Sequence, residues 1–447
     1  MTALAMLDRR RTIARWTYNR WLVPPAALAV HLSIGQAYAF SVFKKPLVEH
    51  FHTKLTPIAV IFSLAMVILG LSAAVAGTWI ESNGPRKAMF VSALCWPGGF
   101  AVAALGVWTS QLWLVYLGYG VIGGIGLGIA YISPVSTLIK WFPDRPGLAT
   151  GLAIMGFGGG ALIASPLSTR LMELYGKAPL VPTFLTLGAV YFVVMMLGAF
   201  TIRVPPERWR PIGWSPERRP RHAFTNGDVT AHNAIRTPQF WLLWIVLFCN
   251  ITAGIGILEQ AAPMIQDFFP HVGPEQAAGY VGLLALCNMA GRVVWSSTSD
   301  LIGRKPTYVG YLGAGAILYL GVALAGSWSI ALFVTLTGLI LSFYGGGFAT
   351  IPAYLKDLYG GLQVGAIHGR LLTAWSAAGV AGPLIVNAVA DSQHAAGRSG
   401  AQLYTLSLYI MVVILLVGLG ANLLVRPIAE WFHEPSEIVR PLIALEG

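Results

Sequence analysis

Residues 291–305, GRVVWSSTSDLIGRK, hold basic residues in two different settings. Arg304 and Lys305 follow an apolar run and lie beside Asp300, where a loop is expected. Arg292 lies within the apolar run itself, about two helical turns before Asp300. An arginine in such a run needs a specific partner, because a charge inside a membrane helix is rare and costly.

The composition is that of an integral membrane protein. Of 447 residues, 56% are hydrophobic and only 11% are charged, whereas soluble domains average about 25% charged residues. So few charges cannot cover a surface that faces water. The cysteines Cys95, Cys249 and Cys287 lie singly in apolar runs without C-x-x-C spacing, so neither a disulfide framework nor a zinc site is expected.

The hydropathy pattern predicts twelve membrane helices, each of ~20 or more mostly apolar residues. The basic stretch before them lacks a signal-peptide core and is predicted to be a cytoplasmic tail. A short break near residues 109–111 separates the third and fourth helices. The predicted spans are residues 21–46, 57–80, 87–109, 112–138, 148–170, 181–203, 238–266, 275–298, 306–326, 328–354, 365–391 and 401–425.

Lysine and arginine predict that both termini are cytoplasmic. Most of the 29 such residues fall in the tails, in the loops after even-numbered spans and in the Pro- and Arg-rich segment 204–237. An excess of these residues marks the cytoplasmic side. The net charge of +11 is therefore a topology signal, and no nucleic-acid partner is expected. The basic residues predicted on the opposite side are Lys44, Lys45, Lys54, Arg170, Lys177 and Arg398.

Two pairs of similar segments indicate a duplicated six-helix unit. GTWIESNGPRK (77–87) matches SSTSDLIGRK (296–305) at an offset of 219, and GLATG (147–151) matches GAIHG (365–369) at an offset of 218. Paired six-span halves with a binding site near the midplane are a known transporter plan. The predicted organisation is a cytoplasmic tail (1–20), a six-helix bundle (21–203), a cytoplasmic linker (204–237), a second six-helix bundle (238–425) and a cytoplasmic tail (426–447).

The chain resembles the major facilitator superfamily. Its loop pattern, G-x-x-x-D/E-x-x-G-x-R/K-R/K, is carried by Gly77, Glu81, Gly84, Arg86 and Lys87, and again by Asp300, Gly303, Arg304 and Lys305, with Ser296 in place of the first glycine. More narrowly, GQAYAFSVF, YISPVSTLIKWFPDRPGLATGLAIMGFGGGA, ITAGIGILEQAAPM and GAIHGRLLTAWSAAGVAGP resemble the oxalate/formate antiporter family, which includes bacterial monocarboxylate transporters. The resemblance implies an all-α inner-membrane transporter of small carboxylates such as lactate, pyruvate, formate or oxalate.

Arg292 is the leading candidate for binding the substrate carboxylate. Counting back from Asp300 places it ~12 Å inside the cytoplasmic edge, close to the middle of a ~30 Å apolar layer. The resemblance implies the same role, since a span-8 arginine binds the carboxylate in that family. The alternative is a structural ion pair, for which Glu259 is the candidate acid, although Glu259 is predicted near the outer end of its span. Asn288, one turn earlier on the same face, either orients Arg292 or makes an interhelical hydrogen bond.

Aromatic and polar residues of other spans complete the predicted site. Tyr131 is predicted at the depth of Arg292 in the other half, and the resemblance implies that spans 1, 4, 7 and 10 line the cavity. Aromatic packing is the alternative for the tyrosines, and buried tyrosines find a hydrogen-bond partner in either case. The predicted substrate-binding residues are Arg292, Asn288, Tyr131, Tyr344, Trp375 and, as gate or outer-cavity residues, Tyr38 and Gln36.

Two residues are candidates for proton coupling. His31 titrates near neutral pH when exposed, although a hydrogen-bonded packing histidine is the simpler interpretation. Glu259 could couple protons or stand at the cavity mouth. Asp300 with Arg304, and Glu81 with Arg86, are predicted to latch helices together at the cytoplasmic edge.

The substrate is predicted to be a monocarboxylate. The resemblance implies that oxalate exchange uses a second cation, a lysine in the middle of span 11, and LLTAWSAAGVAGPLIVN has none there. Proton symport is the expected coupling, with oxalate/formate-type anion exchange as the alternative. A non-transporting carboxylate sensor of the same fold is a further alternative, and it usually carries an appended signalling domain, which the short tails do not suggest.

No enzyme, cofactor or metal site is predicted. The glycines of GYGVIGGIGLG and GFGGGA follow no strand and precede no GK[ST], so they indicate close helix packing and not a nucleotide loop. No Ser-His-Asp, H-E-x-x-H or Walker pattern occurs, and no re-entrant filter segment suggests a channel. The expected partners are the carboxylate, protons or a counter-anion, and the lipid bilayer, with the protein as a monomer.

Overall fold

A computed structural model describes residues 7–207, 209–214 and 227–434, and helices account for nearly all of them. The α-helices are α1 Val23–Ile34, α2 Ser41–Phe51, α3 Leu55–Asn83, α4 Pro85–Trp108, α5 Leu112–Val115, α6 Gly123–Trp141, α7 Pro146–Tyr175, α8 Leu180–Thr201, α9 Ala231–Ala234, α10 Pro238–Phe268, α11 Pro274–Ile302, α12 Arg304–Val309, α13 Gly315–Ala325, α14 Ile330–Tyr359, α15 Val364–Leu371, α16 Thr373–Ala395 and α17 Gln402–Leu424.

Within the described residues, eleven helices are long and apolar enough to cross a membrane. A twelfth span consists of Arg20–Ala39 and Ser41–Phe51, which meet at a bend of 50°. Short π-helical segments, Tyr116–Ile122 and Gly310–Ala314, join α5 to α6 and α12 to α13 into single spans. The predicted all-helical membrane fold is confirmed, including the break near residues 109–111, where Ser110 takes a φ of 53°.

The first span is bent because it changes helix type in the middle. Residues Gly35–Ala39 form a 3₁₀-helix between α1 and α2. Gly35 lies against α7 so closely that a Cβ atom there would be 2.6 Å from the Phe157 carbonyl oxygen. Since 3₁₀ and α-helices place successive side chains at different angles, the bend decides which residues of this span face the centre of the protein.

Glycines of α7 allow α11 to approach closely. A Cβ atom at Gly151 would be 2.6 Å from the Arg292 carbonyl oxygen, and one at Gly158 would be 2.7 Å from Arg292 Nε. On the other side of α11, a Cβ atom at Gly345 would be 2.1 Å from the carbonyl oxygen of Asn288. The glycine-rich stretches therefore serve helix packing, as the sequence predicts, and two of these contacts enclose Arg292.

The two copies of the loop motif fold alike. Gly84 and Gly303 each end one helix and precede the next with nearly the same backbone, φ 87° and ψ 162° in the first copy and φ 92° and ψ 159° in the second. These positive φ values are accessible to glycine at little cost, which explains why glycine is repeated here. Each acid then accepts a backbone hydrogen bond from the segment similar in sequence in the opposite half.

Those acid contacts cross between the halves. Glu81 accepts from the Gly365 N–H of α15 at 3.1 Å, and Asp300 accepts from the N–H groups of Gly147 and Leu148 at the start of α7, both at 2.9 Å. Helix N-termini carry unpaired N–H groups and a positive dipole end, so a carboxylate stabilises them. The latches therefore join α3 to α15 and α11 to α7.

One of the two predicted acid–arginine pairs is present and the other is not: Arg304 pairs with Asp300, but Arg86 does not pair with Glu81. Glu81 pairs with Lys140 at 2.6 Å, whereas Arg86 donates to the carbonyl oxygens of Phe200 and Ile202 at the end of α8. Lys305 likewise donates to carbonyl oxygens at the end of α17, at Leu423 and Val425. The structural counterpart of Arg86 is thus Lys305, because both bind the C-terminal carbonyl groups of the last helix in their half, while Arg304 pairs with Asp300 at 2.6 Å.

Candidate substrate-binding site

A cavity of about 710 Å³ lies between the two halves. Its wall comes from the first span and from α3, α7, α10 and α11, and Lys44, Pro166 and Ala278 lie toward its mouth. Tyr38, Gly158 and Asn288 lie at its inner end. The wall is mostly apolar, which suits a small ligand held by a few polar groups.

We call the side on which α8 ends at Thr201 and α10 begins at Pro238 the linker side. The cavity opens on the opposite side. The described hydrogen bonds between the two halves lie at the midplane or on the linker side. Thr150 Oγ1 donates to the Ala349 carbonyl at 2.6 Å, and Lys356 Nζ donates to the Ile139 carbonyl at 3.4 Å. Together with the latches of Glu81 and Asp300, they close the linker side beneath the cavity.

Arg292 lies directly beneath the cavity and is completely buried, with 0% of its surface exposed. Its Nε donates to Asn288 Oδ1 at 3.1 Å, and its Nη1 donates to the Ile154 carbonyl at 3.0 Å. Its Nη2 is buried and has no partner at normal hydrogen-bond geometry among the described residues. The Tyr38 and Tyr131 hydroxyl groups lie close to the guanidinium. The described part of the chain supplies no carboxylate to the guanidinium, so a charged donor remains unsatisfied where the cavity ends.

Aromatic rings surround the guanidinium. Its Cζ lies 5.2 Å from the ring centre of Phe348 and 5.9 Å from that of Phe157. The Trp375 ring contacts both, with centroid distances of 4.7 Å and 5.2 Å. These rings attract a cation weakly and exclude water. An ion pair between Arg292 and an anion is stronger in such an environment than in water.

The tyrosines converge at the same level. The Tyr38 and Tyr344 hydroxyl groups are 3.1 Å apart, joining the first span to α14 across the site. The Tyr131 hydroxyl group is fully buried and has no described partner at normal hydrogen-bond geometry. Its ring packs against Phe157 at 5.5 Å and Trp375 at 5.2 Å. The structure thus brings together six predicted residues, Arg292, Asn288, Tyr38, Tyr131, Tyr344 and Trp375.

Two predicted residues do not join this group. Gln36 lies in the 3₁₀-helix, and its Oε1 accepts from the Tyr119 hydroxyl at 3.1 Å inside the first half, away from the cavity wall. Successive residues of a 3₁₀-helix are about 120° apart, so Gln36 and Tyr38 face different neighbours. The side chain of Glu259 lies outside the described residues.

The His31 ring contacts Tyr131 on the other face of the site. Their ring centroids are 5.5 Å apart, and His31 Nδ1 lies 3.1 Å from the Ala27 carbonyl oxygen. Its Nε2 is buried without a partner. Sequence reasoning missed a second histidine here, His368, which lies near the start of the predicted span 365–391. In the structure the His368 ring lies 5.9 Å from that of Tyr131 and is 1% exposed.

The arrangement can bind one small anion. A guanidinium with a free N–H, an amide, and phenol groups can orient a carboxylate, and the apolar cavity wall can cover its hydrocarbon part. Within residues 7–207, 209–214 and 227–434, no cluster of His, Cys, Asp and Glu has the geometry of a metal site.

A family model of the Major Facilitator Superfamily matches residues 26–383. Among curated proteins, the oxalate:formate antiporter of Oxalobacter formigenes is 25% identical over 376 residues, which cover 84% of this chain and 86% of that protein. The uncharacterized MFS-type transporter YhjX of Escherichia coli is 25% identical, with 78% and 83% covered. Monocarboxylate transporter 2 of Mus musculus is 26% identical, with 75% and 70% covered.

Solved structures share the fold. The transporter FucP in its outward conformation superposes with a TM-score of 0.64 at 15% identity, covering 89% of this chain and 97% of FucP. The proton:xylose symporter XylE superposes with a TM-score of 0.64 at 16% identity, covering 90% and 94%. These similarities establish the helical architecture and leave the choice of substrate to the site itself.

Proposed function

Since this chain belongs to the major facilitator superfamily, we propose that it is a secondary transporter of small monocarboxylates in which Arg292 binds the carboxylate. The unsatisfied Nη2 of a fully buried arginine is the observation that carries the proposal. An unpaired charge enclosed by protein is destabilising by several kcal/mol, and a carboxylate bound beside it offsets that penalty with charge-assisted hydrogen bonds.

A single carboxylate fits this site better than two. The middle of the eleventh span, where the resemblance implies a lysine in oxalate carriers, contains none here. The Trp375 ring of that span packs against Phe157 and Phe348. Lys140 is engaged with Glu81, and Arg304 with Asp300 and Asp357. Lactate, pyruvate or formate would therefore find one cation, and the second charge of oxalate would lie against aromatic rings.

Alternating access follows from the closed and open sides of the site. The cavity leads from the side opposite the linker to Asn288, while the linker side is closed by the contacts of Glu81, Asp300 and Thr150. If both termini are cytoplasmic, as the distribution of basic residues predicts, this is an outward-facing state. Rocking of the halves 21–203 and 238–425 would break the latches and open the site to the cytoplasm.

Counterflow in proteoliposomes tests the substrate class. Purified protein is expected to exchange labelled lactate, pyruvate or formate in preference to oxalate. Arg292→Lys retains the positive charge but loses the planar fork, and is expected to reduce counterflow strongly. Arg170→Lys, at an exposed arginine outside the cavity, is the matched control. Full activity of Arg292→Lys, or no counterflow of any monocarboxylate, would refute the proposal.

Proton symport is the proposed coupling. No described acid at the level of Arg292 competes with the substrate for the guanidinium, so a proton carried with the carboxylate is the simplest way to balance its charge. Oxalate/formate-type exchange is the second candidate, favoured by the similarity to the Oxalobacter antiporter over most of both chains. Carboxylate uptake driven by an imposed pH gradient supports symport. Uptake that does not depend on the pH gradient but requires an internal anion supports exchange. Faster transport of oxalate than of lactate would contradict the proposal of a monocarboxylate substrate. Binding of a carboxylate without any flux would indicate a sensor.

A further inference from the structure

His31 and His368 lie on either side of Tyr131, below the carboxylate site. Their ring centroids are 5.5 Å and 5.9 Å from the Tyr131 centroid, and the histidines are 0% and 1% exposed. His31 comes from α1 in the first half and His368 from α15 in the second, so the pair spans the boundary between the halves. It lies toward the linker side, which the latches close in this state.

The ring nitrogens of this pair are chemically unusual for a protein interior. His31 Nδ1 must carry a hydrogen, because its neighbour at 3.1 Å, the Ala27 carbonyl oxygen, can only accept. In the neutral ring Nε2 therefore holds a lone pair, and among the described residues it is buried without a partner at normal hydrogen-bond geometry, with the Tyr131 backbone close to the ring. Both nitrogens of His368 are likewise buried without a partner. Buried polar atoms are almost always hydrogen-bonded, so three unpartnered nitrogens around one ring point to a binding role.

We propose that His31 and His368 together hold the proton that accompanies each carboxylate. The inference rests on the proposed function, since it needs a carboxylate at Arg292. A proton adds to one free ring nitrogen and is released from it later, so no bond other than N–H is made or broken. One proton is expected for the pair, because His31 and His368 are close enough for the charge on one to oppose the charge on the other.

Arg292 supplies the link between the proton and the substrate. Its guanidinium is close enough to His31 to oppose a second positive charge there. A carboxylate bound to Arg292 cancels much of that positive potential, which makes a proton on the pair more favourable. By thermodynamic reciprocity, a proton on the pair strengthens carboxylate binding by the same factor. Proton and carboxylate then bind together as a neutral pair and cross together.

The surroundings of the pair suggest how the proton leaves. When the linker side opens, Glu81 and Gly365 separate, and the start of α15 that carries His368 is exposed first. The Tyr131 phenol ring lies against both histidine rings. The titratable and charged groups around the pair are Arg292, Tyr131, Tyr38 and Tyr344 on the cavity side, and Glu81, Lys140 and Arg370 on the linker side.

Proton uptake on binding tests the wild-type protein directly. Lactate, pyruvate and formate are each added to detergent-solubilised protein in weak buffer near neutral pH, and a pH-sensitive dye reports proton uptake beside calorimetric binding. About one proton is expected per carboxylate bound. Carboxylate binding without proton uptake would overturn the inference and leave the role of Arg292 intact, whereas no binding or counterflow of any carboxylate would remove both.

The variants His368→Gln and His31→Gln identify the carrier. In the wild type, carboxylate affinity is expected to rise as pH falls, by a factor within the about 5- to 150-fold range of typical coupling. In either variant the pH dependence and the proton uptake are expected to be lost. His394→Gln, at an exposed histidine of α16, should behave as wild type. A His368→Gln protein that binds carboxylate with wild-type proton uptake and pH dependence would exclude His368. If that variant does not fold, the wild-type proton measurement and His31→Gln decide the question.

Discussion

Arg292 and Arg304 lie near the two ends of residues 291–305, and both are buried, with 0% and 2% of their surface exposed. Arg304 binds two carboxylates: Nη2 donates to Asp300 at 2.6 Å and Nε donates to Asp357 at 2.9 Å, while Nη1 donates to the Ser299 hydroxyl. Arg292 binds an amide oxygen and a backbone carbonyl, and its Nη2 has no described partner at normal hydrogen-bond geometry.

The difference separates an arginine that holds the protein together from one that is available to a ligand. Arg304 has all the negative charge it requires, since Asp300 also accepts from the start of α7 and Asp357 comes from α14. Arg292 lies in an enclosure formed by glycines and aromatic rings, and no described acid pairs with it. The two buried arginines are therefore expected to affect stability in opposite ways. Removal of Arg304 leaves two acids without their cation and is destabilising, whereas removal of Arg292 eliminates an unpaired buried charge.

Arg304→Gln is the largest expected effect on stability. Removing one partner of a buried ionic group typically destabilises a protein by about 3–5 kcal/mol, because the remaining charges are left unpaired. Thermal unfolding of the purified variant should show a clearly lower midpoint. Restoring the balance with Asp357→Asn in the same chain should recover part of the loss, and a variant as stable as wild type would contradict the structural role of Arg304.

Arg292→Gln should reverse that pattern. Truncating a buried charged partner weakens binding by about 2–5 kcal/mol, or roughly 30-fold or more in carboxylate affinity. The midpoint of thermal unfolding without substrate should stay the same or rise, since an unpaired charge has been removed. Calorimetric binding and thermal unfolding on the same sample separate the two effects. Strong destabilisation with normal affinity would place Arg292 with Arg304 as a structural residue.

Gly158→Ala perturbs the enclosure of Arg292 without changing any charge. The new methyl group would lie 2.7 Å from Nε and 3.2 Å from Cζ, so the guanidinium must move. Overpacking of this kind typically costs about 1–3 kcal/mol, and lower carboxylate affinity is expected together with modest destabilisation. Gly420→Ala in α17, where no atom lies within 4 Å of the added Cβ, is the control. Equal affinity in the two variants would show that Arg292 need not be held at this place.

Lys140→Gln should have the smallest effect. Its ion pair with Glu81 is 2.6 Å long, but the lysine side chain is 35% exposed, and exposed pairs contribute only about 0.2–1 kcal/mol. A slight decrease in the unfolding midpoint is expected, much smaller than for Arg304→Gln. An equal decrease in the two variants would mean that the two ion pairs contribute equally to the free energy of unfolding, which would contradict the expectation from their different burial.

The sequence by itself determined the membrane fold and the duplicated motif, and it predicted the depth of Arg292. These are local properties: an apolar run of sufficient length predicts a membrane helix, a repeated acid and glycine mark repeated loops, and a fixed rise per residue converts a count into depth. The same counting placed Tyr131 at the depth of Arg292 and Asn288 one helical turn away, and the structure brings these residues together.

Only the tertiary structure decided which side chains of different helices meet. Gln36 turns toward Tyr119 because the first span becomes a 3₁₀-helix between two α-helices. His368 reaches Tyr131 because α15 packs across the boundary of the halves against α3 and α6. Glu81 binds Lys140 and the Gly365 N–H, and not Arg86, because α6 and α15 pack against its helix and bring those groups to its carboxylate. Contacts between distant segments depend on the rotation and bending of the helices, and these cannot be obtained by counting residues along the chain.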